Sequence, residues 1–217
     1  MTLAAYDDFV RGGAQVTAPI MAATAWRTNG HMIADVARLG YIRDADLVLD
    51  PTYGRGGWWT QYRPSRLIGH DLDPKLSPNG DSIDFRALPY ITGLFDAVAF
   101  DPPYKLNGTP TVAVDQRYGV HAVASREDRH RLIREGTVEC LRVLKRGGFL
   151  LLKCQDQVNG GKVRWQTMDF AWHAGLYGGR LVDMLHMLGG RPQPEGTSQR
   201  HARRNMSTLL VLRKEFA

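Results

Sequence analysis

Three short apolar runs in the first half of the chain each end on an aspartate. Leu47-Val48-Leu49-Asp50 leads into Pro51-Thr52-Tyr53-Gly54-Arg55-Gly56-Gly57. Arg66-Leu67-Ile68-Gly69-His70-Asp71 has the same form, and Phe95-Asp96-Ala97-Val98-Ala99-Phe100-Asp101 leads into Pro102-Pro103-Tyr104. A fourth run, Gly148 to Cys154, follows the turn Lys145-Arg146-Gly147. Continuous apolar runs this short, bounded by turn residues, predict strands buried on both faces, as in a parallel sheet.

Helical spacing fills the gaps. His31 to Leu39 puts Ile33, Val36 and Ala37 on one face, and Arg126 to Leu144 carries Leu132, Ile133, Val138, Leu141 and Leu144 at helical intervals. Trp165 to Leu176 is a third helical segment. The end of the chain breaks the alternation. Leu181 to Leu188 and Ser207 to Arg213 are joined by a polar loop without room for a helix, which predicts an antiparallel hairpin at a sheet edge. The fold class is therefore α/β with a doubly wound, mostly parallel sheet, read as one domain over residues 1–217. Ligands of such sheets bind beyond the carboxyl ends of the strands. Asp50, Asp71 and Asp101 then line one edge of one crevice.

The turn after the first run suits close approach by a ligand. Gly54, Gly56 and Gly57 tolerate positive φ and present bare backbone. The pattern is neither GxGxxG nor the GKS/GKT of a phosphate loop. Trp58 and Trp59 read as core or wall residues. Asp71, about 20 residues on, is placed to accept hydrogen bonds from both hydroxyls of a ribose, with Asp73 as its fallback. Asp84-Phe85, after a further short strand, offers an acid to an adenine amino group and a ring to its face.

Asp101-Pro102-Pro103-Tyr104 carries the chemistry. Two prolines stiffen the backbone and donate no N–H, while their carbonyls remain as acceptors. A carboxylate, a fixed carbonyl and an aromatic plane suit a planar ring bearing an NH2 group. Asp101 and the Pro102 carbonyl would each accept one amino hydrogen, and Tyr104 would stack on the ring. Holding both hydrogens localises a lone pair otherwise delocalised into the ring. The Asp101 charge would stabilise positive charge developing on nitrogen.

In this order, cofactor loop first, the loop Asp50-Pro51-Thr52-Tyr53-Gly54-Arg55-Gly56 and the tetrapeptide Asp101-Pro102-Pro103-Tyr104 resemble the class I S-adenosylmethionine-dependent methyltransferases, specifically the amino-methylating DNA enzymes. The resemblance spans roughly residues 30–155 and departs from the family at Thr52, Arg55 and Trp58. It implies a seven-stranded Rossmann-like sheet with an antiparallel terminal hairpin. It also implies S-adenosylmethionine as cofactor, S-adenosylhomocysteine as product, and transfer to adenine N6 of DNA. RNA bases, cytosine N4 and a non-catalytic cofactor- or DNA-binding subunit are the alternatives. By that likeness Asp50, Pro51, Thr52, Tyr53, Gly54 and Gly56 hold the methionine part, with residues 6–27 as the candidate for its far end. Asp71 holds the ribose, Asp84 and Phe85 the adenine. Asp101, Pro102, Pro103 and Tyr104 form the catalytic corner, where Asp101 also borders the cofactor.

A base inside a duplex cannot reach such a corner, so it is expected to be flipped out. Charge points the same way. Residues 1–104 hold 9 basic against 12 acidic side chains, and residues 105–217 hold 19 against 10. A basic half suggests a polyanionic partner. Lys105, Lys162, Arg164, Arg200, Arg203 and Arg204 are the expected nucleic-acid contacts, on loops 105–125, 155–165 and 189–205. Either these loops suffice to read sequence, or a specificity partner supplies it, or the enzyme is relaxed in sequence; a second copy, in a homodimer, is the other candidate partner. Cys140 and Cys154 form no CxxC pair and the seven histidines show no ligand spacing, so no metal is expected. No apolar run reaches the ~18 residues of a membrane span. The N-terminus lacks a secretory pattern, so a cytoplasmic location is expected.

Overall fold

The computed structural model describes residues 26–106, 126–189, 200–202 and 204–216. Its elements are α1 (Asn29–Arg38), β1 (Leu47–Asp50), a 3-10 turn (Gly57–Trp59), β2 (Arg66–Gly69), β3 (Phe95–Phe100), α2 (Arg126–Val143), β4 (Leu144–Cys154), β5 (Gln157–Asn159), β6 (Lys162–Arg164), α3 (Gln166–Leu176), β7 (Gly179–Leu188) and β8 (Met206–Lys214). The main sheet runs β2-β1-β3-β4-β8-β7. The first four strands are parallel, and β8 lies antiparallel between β4 and β7.

Alternation along the central strands divides the apolar residues between two faces. Leu49, Val98, Phe100, Leu150 and Leu152 pack with Leu132, Ile133 and Leu141 of α2 and Phe170 of α3. Val48, Ala97, Ala99 and Leu151 pack with Ile33 and Val36 of α1, and with Trp58 and Trp59. Helices therefore cover both faces, as a parallel sheet requires.

The main sheet has six strands among the described residues, not the expected seven. The missing one is the short strand expected before Asp84. Beside the β2 edge this segment makes one backbone bond, Ile83 N–H to the Asp71 carbonyl at 3.1 Å, and Ser82 Oγ donates to the Leu72 carbonyl at 2.7 Å. A single backbone bond does not make a ladder. Asp81 is drawn aside by Ser77 and by His70 Nδ1, 2.8 Å from its carboxylate.

Gly136 shows how tightly α2 sits on the sheet. A Cβ there would lie 2.5 Å from the Phe85 ring and 2.7 Å from Phe100. Helix propensity alone favours alanine by about 1 kcal/mol, but overpacking costs about 1–3 kcal/mol. Gly136→Ala is expected to lower stability in urea unfolding; a more stable variant would show that this contact is not tight.

Candidate active site

β1, β3 and β4 bring one side chain each to a single row at their carboxyl ends. Alternation from Val48, Ala99 and Leu151 puts Asp50, Asp101 and Lys153 on the α1 face of the sheet. The parallel register Phe100–Leu152 carries on to set Asp101 beside Lys153.

Two tryptophans of the 3-10 turn close over this row. Trp59 Nε1 donates to Asp50 at 2.7 Å, and Trp58 Nε1 donates to Asp101 Oδ2 at 3.0 Å. Both indoles are core residues at 6% exposure, so the expectation of core or wall holds. Their polar ends are a further role that the sequence reading missed. Thr52 ties the two loops together. Its hydroxyl accepts from Asp101 N–H at 2.9 Å and donates to Asp50 Oδ1 at 3.4 Å, while its own N–H donates to Asp50 Oδ1 at 3.0 Å. Burial pushes the Asp50 carboxyl up to about 7, with Trp59 and Thr52 opposing and the Asp101 charge adding to the rise. Burial also raises Asp101, against the charge of Lys153, the Trp58 hydrogen bond and the charge of Lys105.

The glycine turn follows directly. Pro51 is buried behind Asp50. Gly54 and Gly56 have φ of 58° and 69°, which only glycine adopts freely. Gly54 N–H donates to Asp71 Oδ2 at 2.9 Å, and Asp73 N–H donates to Asp71 Oδ1 at 3.0 Å. Asp71 is thus buried and braces the turn; burial raises its carboxyl against those two N–H groups. Tyr53 covers Gly69 and receives a hydrogen bond from Arg63 at 2.9 Å. Asp84 takes a two-pronged bond from Arg86, which outweighs its burial and holds its carboxyl below the usual range. Phe85 is 4% exposed and meets Phe100 edge-on at 4.9 Å, so its ring is committed to the core.

The proline corner is firmly held. Pro102 and Pro103 are buried. The Pro102 carbonyl, expected as an open acceptor, already accepts the Tyr104 N–H at 2.7 Å, which leaves it one lone pair. The Tyr104 carbonyl accepts from Gln157 and Gln166, each at 2.8 Å, and the Tyr104 ring packs against the α2–α3 side of the core. Oδ1 of Asp101 accepts no hydrogen bond among the described residues.

A small hairpin, β5–β6, adjoins this corner. Gly160 and Gly161 turn it with φ of 58° and 71°, and Gln157 accepts from Leu106 N–H at 2.9 Å. Lys162 and Lys105 are exposed here. Arg164 lines a cavity of about 350 Å³ with Trp165, His130 and Arg134. Arg204 stacks on Trp165 at 4.1 Å. Arg200 is exposed beside His201, whose ring contacts the Gly161 carbonyl at 3.0 Å. Arg203, residues 6–25 and most of the loops 105–125 and 189–205 lie outside the described residues.

No known protein family's sequence profile matches the chain, and no curated protein is similar to it in sequence. Solved structures are similar in fold. One belongs to a complex of the Trm112 methyltransferase activator with a candidate methyltransferase from Haloferax volcanii, with 15% identity, a TM-score of 0.56, and coverage of 88% of this chain and 90% of that one. A TehB-like S-adenosylmethionine-dependent methyltransferase from Corynebacterium glutamicum matches with 15% identity, a TM-score of 0.50 and coverage of 88% and 89%. TrmN from Thermus thermophilus matches with 18% identity and a TM-score of 0.51 over 88% of this chain and 51% of its own. The protein has the Rossmann-like fold seen in S-adenosylmethionine-dependent methyltransferases. No group of three or more His, Cys, Asp and Glu placed to hold a metal, and no helix long and apolar enough to cross a membrane, occurs among the described residues.

Proposed function

We propose that the protein transfers the methyl group of S-adenosylmethionine to the exocyclic amino nitrogen of a nucleic-acid base held out of its stack. Adenine N6 of DNA is the first choice and an RNA base the alternative. The observation that supports this reading most is Asp101. One of its oxygens is held by Trp58 and the other accepts nothing among the described residues, at a strand end that also faces the glycine turn.

The residues present fit the cofactor. A Cβ on Gly57 would meet nothing within 4 Å, and one on Gly54 would meet only the Thr52 carbonyl at 3.8 Å, so a ligand can lie against this backbone. Asp50 is buried with hydrogen-bond donors but no ion-pair partner among the described residues, which suits a cationic ligand. Asp50, Pro51, Thr52, Tyr53, Gly54 and Gly56 would hold the methionine end. Asp71, Asp84 and Phe85 remain the proposed ribose and adenine side. Phe85 would act there through packing, since its ring is in the core.

Bound there, S-adenosylmethionine would supply an electrophilic methyl group carried on a sulfonium, with S-adenosylhomocysteine as the leaving group when the methyl passes to nitrogen. Asp101 Oδ1 accepts one amino hydrogen, and the second lone pair of the Pro102 carbonyl is the acceptor for the other. Asp101 stays anionic and stabilises the positive charge that grows on nitrogen. The nitrogen then loses a proton to solvent. The stiff prolines fix the approach line, so alignment supplies much of the rate.

Incubation with tritiated S-adenosylmethionine and either DNA or RNA, followed by base analysis, tests this. Label is expected in N6-methyladenine; label in protein alone overturns the proposal. Lys105, Lys162, Arg164, Arg200, Arg203 and Arg204 are the proposed backbone contacts. Lys162→Gln and Arg164→Gln should each reduce the slope of log affinity against log salt by about 0.9 on duplex DNA. Unchanged slopes would place the nucleic acid elsewhere.

A further inference from the structure

Lys153 lies inside the site described above, yet the sequence reading gave it no role. Its side chain is fully buried at the carboxyl end of β4. A buried ammonium is costly unless something compensates it. Its Nζ donates to Asn29 Oδ1, at the start of α1. It also stands 6.0 Å from the centre of the Trp58 ring, whose N–H is bound to Asp101. Asn29 is neutral and an aromatic face carries only partial charge. Asp101 directly follows β3, one residue beyond the register pair Phe100–Leu152, and so lies alongside Lys153. On the other side, in β8, the paired residue is Leu209, which carries no charge.

Resting on the methyltransferase reading, we propose that Lys153 is a positioning residue whose buried positive charge, held by Asn29 and Trp58, keeps the Asp101 carboxylate ionised to receive the amine. The charged and titratable groups facing this pair are few. Asp50 faces Asp101 from β1, and the Asp101 charge adds to the rise of the Asp50 carboxyl. Lys105 faces Asp101 from the corner's own loop and assists its ionisation. Cys154 neighbours Lys153 and is buried as a thiol. Lys105 is exposed, so its charge is screened by solvent, whereas Lys153 sits in the dry layer under Trp58. Lys153 is therefore the cation whose loss Asp101 feels most. Its charge is the largest of those lowering the Asp101 carboxyl, and an opposite charge within ~4–6 Å moves a carboxyl by about 1–3 pH units.

The test replaces Lys153 in two neutral ways. Lys153→Met keeps the stem and removes the polar end; Lys153→Gln keeps a polar end for Asn29 and removes the charge. Two readouts are taken. The first is the acid limb of the transfer rate at saturating cofactor and nucleic acid, which should move up by about one pH unit or more in both variants. At pH values below the wild-type limb the rate should then fall about 10-fold, and it should recover at higher pH. The second needs no turnover. The ¹⁵N indole resonance of Trp58, assigned with Trp58→Phe, reports Asp101 through their hydrogen bond, and its pH midpoint should rise by the same amount. A folded Lys153→Gln protein whose indole midpoint and acid limb match the wild type overturns the proposal. If no nucleic acid accepts methyl groups but the indole midpoint still moves, the pairing stands and only the reading of the reaction fails.

Discussion

Asp101→Asn is expected to lower methyl transfer about 100-fold, and Asp101→Ala about 1000-fold or beyond detection, with cofactor affinity within a few-fold of wild type. The two variants separate charge from shape. Asparagine keeps the shape but has one side-chain oxygen, so it can accept either from the Trp58 N–H, as Asp101 does at 3.0 Å, or from the substrate amino group, while its NH2 stands at the other position. It withdraws the negative charge that offsets positive charge growing on nitrogen. Alanine withdraws both acceptors and strands the Trp58 N–H and the buried Lys153 ammonium. Those losses make alanine the less stable protein, so its thermal unfolding must be measured beside its rate. Single-turnover transfer to an adenine-containing oligonucleotide is the measurement. Wild-type rates in a folded Asp101→Asn protein would remove the carboxylate from the reaction.

The fold was legible because burial on both faces leaves an unbroken apolar run, and three such runs ended where the crevice had to be. The helices came from spacing alone, and α1, α2 and α3 begin and end within two residues of the expected limits. The seventh strand failed because pairing is a property of two edges. Nothing within residues 81–84 announces that Asp81 will turn towards Ser77 and His70 instead of extending the ladder. The acids were legible as strand ends, but their partners were not. Trp58 and Trp59 look like any core aromatics until the 3-10 turn points both indole N–H groups at carboxylates. Phe85 looked like a ring for adenine, and only the absence of a side chain on Gly136 shows where that ring goes. Lys153 did leave a trace. A lysine inside Leu150-Leu151-Leu152-Lys153-Cys154, two residues from Leu151, must face the α1 side, in line with Asp101 two residues from Ala99.

Under the proposed reading, Asp50 is expected to set the pH range over which the cofactor binds. Its carboxyl titrates near 7 because burial outweighs the hydrogen bonds from Trp59 and Thr52. A ligand bearing positive charge at this site favours the ionised form and so must draw off a proton wherever Asp50 holds one. Affinity for S-adenosylmethionine should therefore be flat above about pH 7 and fall up to tenfold per unit below it, levelling out near the carboxyl's pH in the complex. Asp50→Asn should bind weakly at pH 8, and its affinity should lose this slope. Stability of the free protein carries the opposite sign. The folded carboxyl binds its proton more tightly than the unfolded one, whose ordinary value is 3.8, so stability from this group is whole below pH 4 and lost as pH rises to about 7. Relative to Asp50→Asn, the wild type should lose up to about 4 kcal/mol across that window, an upper limit set by 1.36 kcal/mol per pH unit. Saturating cofactor should restore most of it at pH 8 through binding to the folded state alone. Titration calorimetry from pH 5 to 8.5, paired with urea unfolding of both proteins, reads the two slopes together. A flat affinity profile in the wild type would show that the cofactor's positive charge does not meet Asp50.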